Sequence, residues 1–331
     1  MSRASTMDIL EGMRGWLPQG EQITGIRQLS TGHSNQTFLL EGLGRILRLP
    51  PPGDGLLPRH DVAHEHGVLA VVGKESAGPP VPAVFELCVD TSVIGAPFFV
   101  MEQVRGSAFE HPQVPQWLVD GPAELRNSIC RQWLDAVVAS HRIAPTTIAM
   151  DPVDPLSDAA SWCALARRVS APKELFALFD CLEANPPPPS GPPTLVHGDP
   201  HVANCLWDGG QLTALVDWEL AMVGDPLSDL GWMAAYFADE PFMPPTAGFD
   251  LPGWWSRSRL IEEWEKATGR SAHGVRRYEV LAMAKIATVF ASGMHLIATG
   301  QSEDPRFHTW AQWLPHYLQL AEYRSTQPDR L

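Results

Sequence analysis

Apolar positions recur along this chain with two different periods, and the change from one to the other divides it. Up to residue 104 the period is two. "ITGIRQLS" (Ile23–Ser30) alternates, "QTFLL" and "RILRL" flank the turn Glu41-Gly42-Leu43-Gly44, and "PFFVMEQV" (Pro97–Val104) is a further apolar run. Runs of this kind bounded by turn residues predict strands. Between them, Asp61–Val72 sets Val62, Val68, Leu69 and Val72 at helical spacing. These segments predict a small antiparallel sheet carrying one helix.

After Gly106 the helical period takes over. Across Pro122–His141 the residues Leu125, Ile129, Trp133, Leu134, Val137 and Val138 form one stripe, with Pro122 acceptable in the first turn. Ser157–Glu183 also reads as helix. "NPPPPSGPP" (Asn185–Pro193) stops it, because proline fixes φ and removes donors, and becomes a stiff connector. Beyond Asp225 the pattern predicts helices at Pro226–Phe237, Gly253–Thr268, Val275–Thr299 and Arg306–Tyr323, the first capped by Asp225. The resulting division is a small lobe over residues 1–104 and a larger, mainly helical lobe over 105–331.

Composition narrows the functional classes. With 331 residues, 44% hydrophobic and 19% charged, the chain suits one large domain or two packed lobes. A formal net charge of −14 argues against nucleic-acid binding, which wants clustered Lys and Arg. Cys88, Cys130, Cys163, Cys181 and Cys205 are scattered without CxxC spacing, and read as reduced core residues rather than a disulfide frame or zinc site. The N-terminal stretch has no apolar signal region, and no run approaches the ~18 apolar residues of a membrane span. The expectation is a cytoplasmic protein.

The chemistry gathers in "TLVHGDPHVANCLWDGGQLTALVDWELA" (194–221). "CLW" and "LTALV" surround Asp208-Gly209-Gly210, a hairpin signal. Folding that hairpin brings Asn204 and Asp217 together, an amide oxygen and a carboxylate of the hard-oxygen type that Mg²⁺ accepts alongside phosphates. Asp199, five residues before Asn204, can face the same cavity as a base. No Lys or Arg lies between 194 and 224, so a metal is a better partner for these acids than a local base.

Aspartate, then asparagine, then a metal aspartate after a hairpin is a kinase-type order. On "HGDPHVAN" (197–204), "DWE" (217–219) and "GDPLSDL" (224–230), the chain resembles the aminoglycoside phosphotransferase / choline kinase family of small-molecule kinases. The resemblance implies an α+β, two-lobed protein-kinase-like fold, with an antiparallel β-sheet N-lobe bearing one helix and a mainly helical C-lobe. It implies ATP and Mg²⁺ as cofactors and a small-molecule hydroxyl as phosphate acceptor. Asp199 would be the catalytic base, and Asn204 and Asp217 the metal ligands. His197 would brace the loop, Asp225 would cap the next helix, and Asp229 would be structural.

The same resemblance places the nucleotide. "LSTGHSN" (Leu29–Asn35) would cover the phosphates through backbone N–H groups of Gly32, His33, Ser34 and Asn35, although a simple β-turn would look the same. Arg48 in "RILRL" stands where the family usually has lysine, and either grips the phosphates as a planar fork or impairs nucleotide binding. Glu65 would pair with it. Met101 would pack on adenine, and the backbones of Glu102 and Val104 would bond it. "ILRLPPPG" (46–53) further resembles a subgroup of kinase domains associated with acyl-CoA dehydrogenase-like proteins, for which hydroxyacyl-CoA acceptors are an alternative, with Arg257, Arg259, Arg276 and Arg277 available to an anion. The acceptor pocket would lie between Asp199 and the C-terminal helices, where Trp232, Trp254, Trp255, Trp264, Trp310 and Trp313 concentrate. Tryptophans at helical spacing read as core before they read as pocket lining. "ADEPF" (238–242) and "IEEWEK" (261–266) either supply acids to the pocket or are solvated faces. A nucleotide-binding scaffold is the non-catalytic alternative.

Overall fold

Ser5 caps the first helix, its Oγ accepting the Asp8 N–H at 3.1 Å while the Asp8 carboxylate accepts the Ser5 N–H at 2.7 Å. This helix, α1 (Thr6–Trp16), carries Ile9, Leu10 and Met13 into the core and went unmarked by the apolar pattern. The computed structural model describes residues 5–29, 34–109, 114–237 and 251–327.

Next come β1 (Gly25–Gln28), β2 (Gln36–Glu41), β3 (Arg45–Leu49), α2 (Val62–Val72), β4 (Val84–Cys88) and β5 (Phe98–Glu102). The strands form one antiparallel sheet in the order β1-β2-β3-β5-β4. Both sheet faces are apolar because both are covered. Phe38, Leu40, Leu47, Phe98 and Val100 pack under α1, while Leu39, Ile46, Phe99 and Met101 face Val62, Val68, Leu69 and Val72 of α2. The edge strand β4 was not expected, since in "VFELCV" only Glu86 interrupts the apolar run and no alternation marks it.

The larger lobe contains α3 (Gln116–Val119), α4 (Ala123–His141), α5 (Pro155–Arg168), α6 (Lys173–Ala184), β6 (Thr194–Val196), β7 (Cys205–Asp208), β8 (Gln211–Leu215), β9 (Met222–Gly224), α7 (Leu227–Ala234), α8 (Arg257–Thr268), α9 (Val275–Ala298) and α10 (Arg306–Ser325). The single helix expected over Ser157–Glu183 is two, broken where Ser170 takes a positive φ of 53° and Pro172 precedes α6. The helix expected from Gly253 begins only at Arg257, where the Ser256 Oγ accepts the Arg259 N–H. By length and composition α9 could cross a membrane, contrary to the sequence expectation, yet 78% of its most apolar window is buried inside the protein. It is the helix on which α5, α6, α7 and α10 pack.

Two connections fix how these parts meet. The prolines of 185–193 run along α9: Tyr278 Oη donates to Pro188 O at 3.0 Å and Arg277 Nη1 to Pro186 O at 3.1 Å. Between β3 and α2, residues 50–61 leave the sheet and insert Leu56 and Leu57 into the helical lobe, beside Trp162 of α5 and Trp232 of α7. This strap belongs to the small lobe by sequence and to the large lobe by packing.

Candidate active site

The strand β6 ends at Val196 and hands the chain to a loop held from three sides. Gly198 has φ 87°, and a Cβ there would stand 2.2 Å from Leu220 O, so only glycine fits. Asp229 on α7 accepts the N–H groups of His197 at 2.8 Å and Gly198 at 2.9 Å, and accepts His141 Nε2–H at 2.9 Å. Burial alone would raise the Asp229 carboxyl, but His141 and His197 hold it below the usual range. Its role as the brace of this loop was not read beyond "structural" from the sequence.

His197 spans two strand ends. Its Nε2 donates to Val216 O at 3.0 Å, leaving Nδ1 to accept the Asp199 N–H at 3.3 Å. Burial lowers its pKa, which suits that neutral tautomer. Asn204 donates Nδ2 to Asp199 O at 2.9 Å, so the group it can offer is its Oδ1. Asn204 O accepts the Val216 N–H at 2.8 Å, next to the pair Cys205↔Leu215, so Asn204 and Asp217 flank the open end of the β7–β8 hairpin. Asp217 sits in the left-handed region with φ 68° and ψ 59°, a strained place for a residue with a Cβ.

Three carboxyl groups, Glu65, Asp217 and Glu219, surround the Arg48 guanidinium at this opening, and Asp199 stands beside Asp217. Arg48 Nε donates to Glu65 at 3.1 Å, Nη1 to Thr37 Oγ1 at 3.0 Å, and Nη2 to Asp217. Burial and the neighbouring Asp217 push Asp199 up to about 7, partly offset by Asn204 and Trp232. Glu219 is raised well above its ordinary value by burial and Asp217, and Glu65 is raised chiefly by burial against the pull of Arg48. His60 lies 3.8 Å from Glu219 but does not neutralise it, since burial, Arg168 and Arg48 bring its pKa down to about 4. Its Nε2 accepts the Leu57 N–H, so Nδ1–H meets Ser34 Oγ at 3.1 Å, and Ser34 in turn donates to Glu219 at 3.1 Å.

The donor set fits a hard divalent cation. Among the described residues no three His, Cys, Asp or Glu are arranged to hold a metal ion. Asn204 Oδ1 and the Asp217 carboxylate could supply two oxygens, the number Mg²⁺ commonly takes from protein when phosphates and water complete its shell. The crowding of carboxyl groups supplies the negative charge that such an ion relieves.

On the nucleotide side, Gly32 and His33 lie outside the described residues. Ser34 is turned to His60 and Glu219, and the Asn35 side chain is buried against Glu65 at 3.2 Å. Glu65 is therefore a buried partner of Arg48, as the resemblance implied, and not a solvated helix residue. Met101 is 9% exposed, within the core. The expectation for Glu102 needs correction: its N–H is donated to Ala83 O at 2.8 Å, so a base edge could use only its carbonyl, together with the backbone of half-buried Val104.

On the opposite side of Asp199 the tryptophans separate. Trp264 and Trp255 are core, whereas Trp232 stands close enough to Asp199 to draw its pKa down. Arg257 is not available to an anion, being buried against Glu279, which also receives Arg324 at 2.5 Å. The acids of 238–242 lie outside the described residues.

Residues 25–268 match the family model of the phosphotransferase enzyme family, APH. Human acyl-CoA dehydrogenase family member 11 is 30% identical over 270 residues, covering 77% of this chain but 33% of its own length. "Probable acyl-CoA dehydrogenase IBR3" of Arabidopsis thaliana is 30% identical over 64% of this chain and 28% of its own. The chain thus spans about a third of these relatives. Among solved structures, a putative aminoglycoside phosphotransferase from Ralstonia eutropha superposes with a TM-score of 0.71 at 22% identity, over 97% of this chain and 98% of that one. The two-lobed kinase-like architecture is shared, and the family match covers both the sheet and the helical elements that build the site: the chain belongs to the phosphotransferase enzyme family, the small-molecule kinases.

Proposed function

We propose that this protein moves the γ-phosphate of Mg·ATP onto a hydroxyl of a small molecule, with Asp199 as the base. The observation that carries this reading is the convergence of Asp217, Glu65 and Glu219 on Arg48 with Asp199 beside Asp217, an excess of carboxyl groups at the mouth of the β7–β8 hairpin. A bound Mg²⁺ supplies electrostatic neutralisation of the phosphates and orients them. Asn204 and Asp217 are the residues that would hold it.

The chain's own residues do the remaining work. Asp199, held by the braced loop, orients the acceptor hydroxyl and takes its proton as the oxygen attacks phosphorus. A pKa near 7 lets it be ionised before reaction and still accept a proton. Arg48, kept cationic by Asp217, Glu65 and Glu219, brings positive charge to the phosphate side. Its existing bonds to Glu65 and Asp217 favour a role in ordering that side over a free bidentate grip.

The test is Asp199→Ala with ADP release as readout. Transfer is expected to fall at least ~10³-fold while Mg·ATP still raises the melting temperature as in the parent. Parent-like turnover by the variant sinks the assignment of the base. If nucleotide at any magnesium level leaves the melting temperature unmoved, the scaffold reading replaces this one. A hydroxyacyl-CoA acceptor is the second reading, favoured by relatives whose names are those of acyl-CoA dehydrogenases.

A further inference from the structure

One side chain of the strap, His60, reaches into the phosphate side of the site. The strap fixes it from both directions. Leu56 and Leu57 before it are buried in the helical lobe, and Asp61 after it caps α2, accepting the N–H groups of Ala63 at 3.0 Å and His64 at 3.1 Å. Gly55 makes room for the ring: a Cβ on that glycine, at φ 65°, would stand 2.1 Å from His60 Nε2. Nε2 accepts the Leu57 N–H at 3.3 Å, and Nδ1–H meets Ser34 Oγ at 3.1 Å. An acceptor and a donor fixed on one rigid ring are what a neutral imidazole offers.

Ser34 passes the bond on. Its Oγ–H donates to Glu219 Oε2 at 3.1 Å, two residues past Asp217. The residues that follow Ser34 are pinned as well: Asn35 Nδ2 donates to Glu65 at 3.2 Å, and Thr37 Oγ1 accepts Arg48 Nη1–H at 3.0 Å. Those two bonds stay within the small lobe, on α2 and β3. The series His60, Ser34, Glu219 is the one that ties the β2 end of the β1–β2 connection to the large lobe, and it does so next to Asp217. Hydrogen bonds in series polarise one another, so removing the first link weakens the second.

We propose that His60 is a positioning residue for the nucleotide: through Ser34 and Glu219 it sets where the β1–β2 connection lies relative to Asp217, and so where the phosphates rest. The proposal rests on the phosphotransfer reading and extends it to residues outside the reacting groups. Glu219 then serves as the anchor of that connection, and neither His60 nor Glu219 touches the phosphates. The strap thereby joins the packing of Leu56 and Leu57 in the helical lobe to the placing of the nucleotide.

The test titrates Mg·AMP-PNP calorimetrically into the full chain as the parent, His60→Ala, Ser34→Ala and the double variant. Each single variant is expected to bind about 10-fold more weakly, the loss of one buried hydrogen bond, and the double variant no more weakly than either, because both changes break the same series. His60→Phe, which keeps the bulk of the ring and removes both nitrogens, takes the place of His60→Ala if the latter does not fold. A role in packing alone would lower the melting temperature of the His60 variant and leave its affinity for Mg·AMP-PNP at the parent value. That result, parent-like affinity in Ser34→Ala, or losses that add in the double variant overturns the proposal and leaves phosphotransfer standing. A parent that binds no Mg·AMP-PNP overturns both.

Discussion

Asp199 is a carboxyl group kept where ionisation is disfavoured, and its own stability cost can be read in solution. Its folded pKa of about 7 lies above the ordinary 3.8. A carboxyl raised in this way favours the folded state below pH ~4, and that favour is lost as pH rises through ~7. In magnesium-free buffer, Asp199→Asn should therefore raise the melting temperature at pH 8 by roughly 5 °C, with the gain vanishing toward pH 4. A variant whose melting temperature matches the parent's at every pH would contradict the burial of this group. The order aspartate, asparagine, aspartate was legible in the sequence because a hairpin signal, Asp208-Gly209-Gly210, lies between the last two. The tasks of Asn35, Glu102 and Trp232 were not, since each depends on a partner distant in the chain or on the next strand: Glu65, Ala83 and Asp199.

At the level of elements, the loop that carries Asp199 owes its shape to residues on either side of it. Asp229 gathers three N–H donors, two from the loop and one from α4, and Gly198 fits beneath Leu220 O only because it lacks a Cβ. Gly198→Ala should cost about 2–4 kcal/mol in urea unfolding and lower transfer by more than the folded fraction explains, as the loop shifts. Wild-type stability and activity in that variant would mean the contact is easily relieved. Helices with wide apolar stripes, such as α4, were legible within a residue or two. Two boundaries were not, because a periodic pattern runs through the break at Ser170 and because α8 waits for its Ser256 cap. The strand β4 escaped notice since edge strands obey weaker rules of alternation, here exposing Phe85 and Leu87.

For the whole molecule, the switch from a period of two to a helical period anticipated the two lobes, because each period answers to a different kind of packing. What it could not anticipate is where one lobe reaches into the other. Residues 50–61 carry proline and glycine and read as a loop, yet Leu56 and Leu57 are buried among Trp162, Trp232 and the α9–α10 helices. The large core also runs without a gap from Leu39 and Ile46 of the sheet to Trp133 and Leu134 of α4. Heat should therefore not melt the sheet and the helical bundle separately. A scanning calorimeter is expected to record one endotherm whose van't Hoff and calorimetric enthalpies agree, where two resolved peaks would disprove it. A chain stapled through its own midline in this manner ties the fate of its smaller half to that of the larger, so that loosening the strap at Leu56 and Leu57 should be felt on both sides.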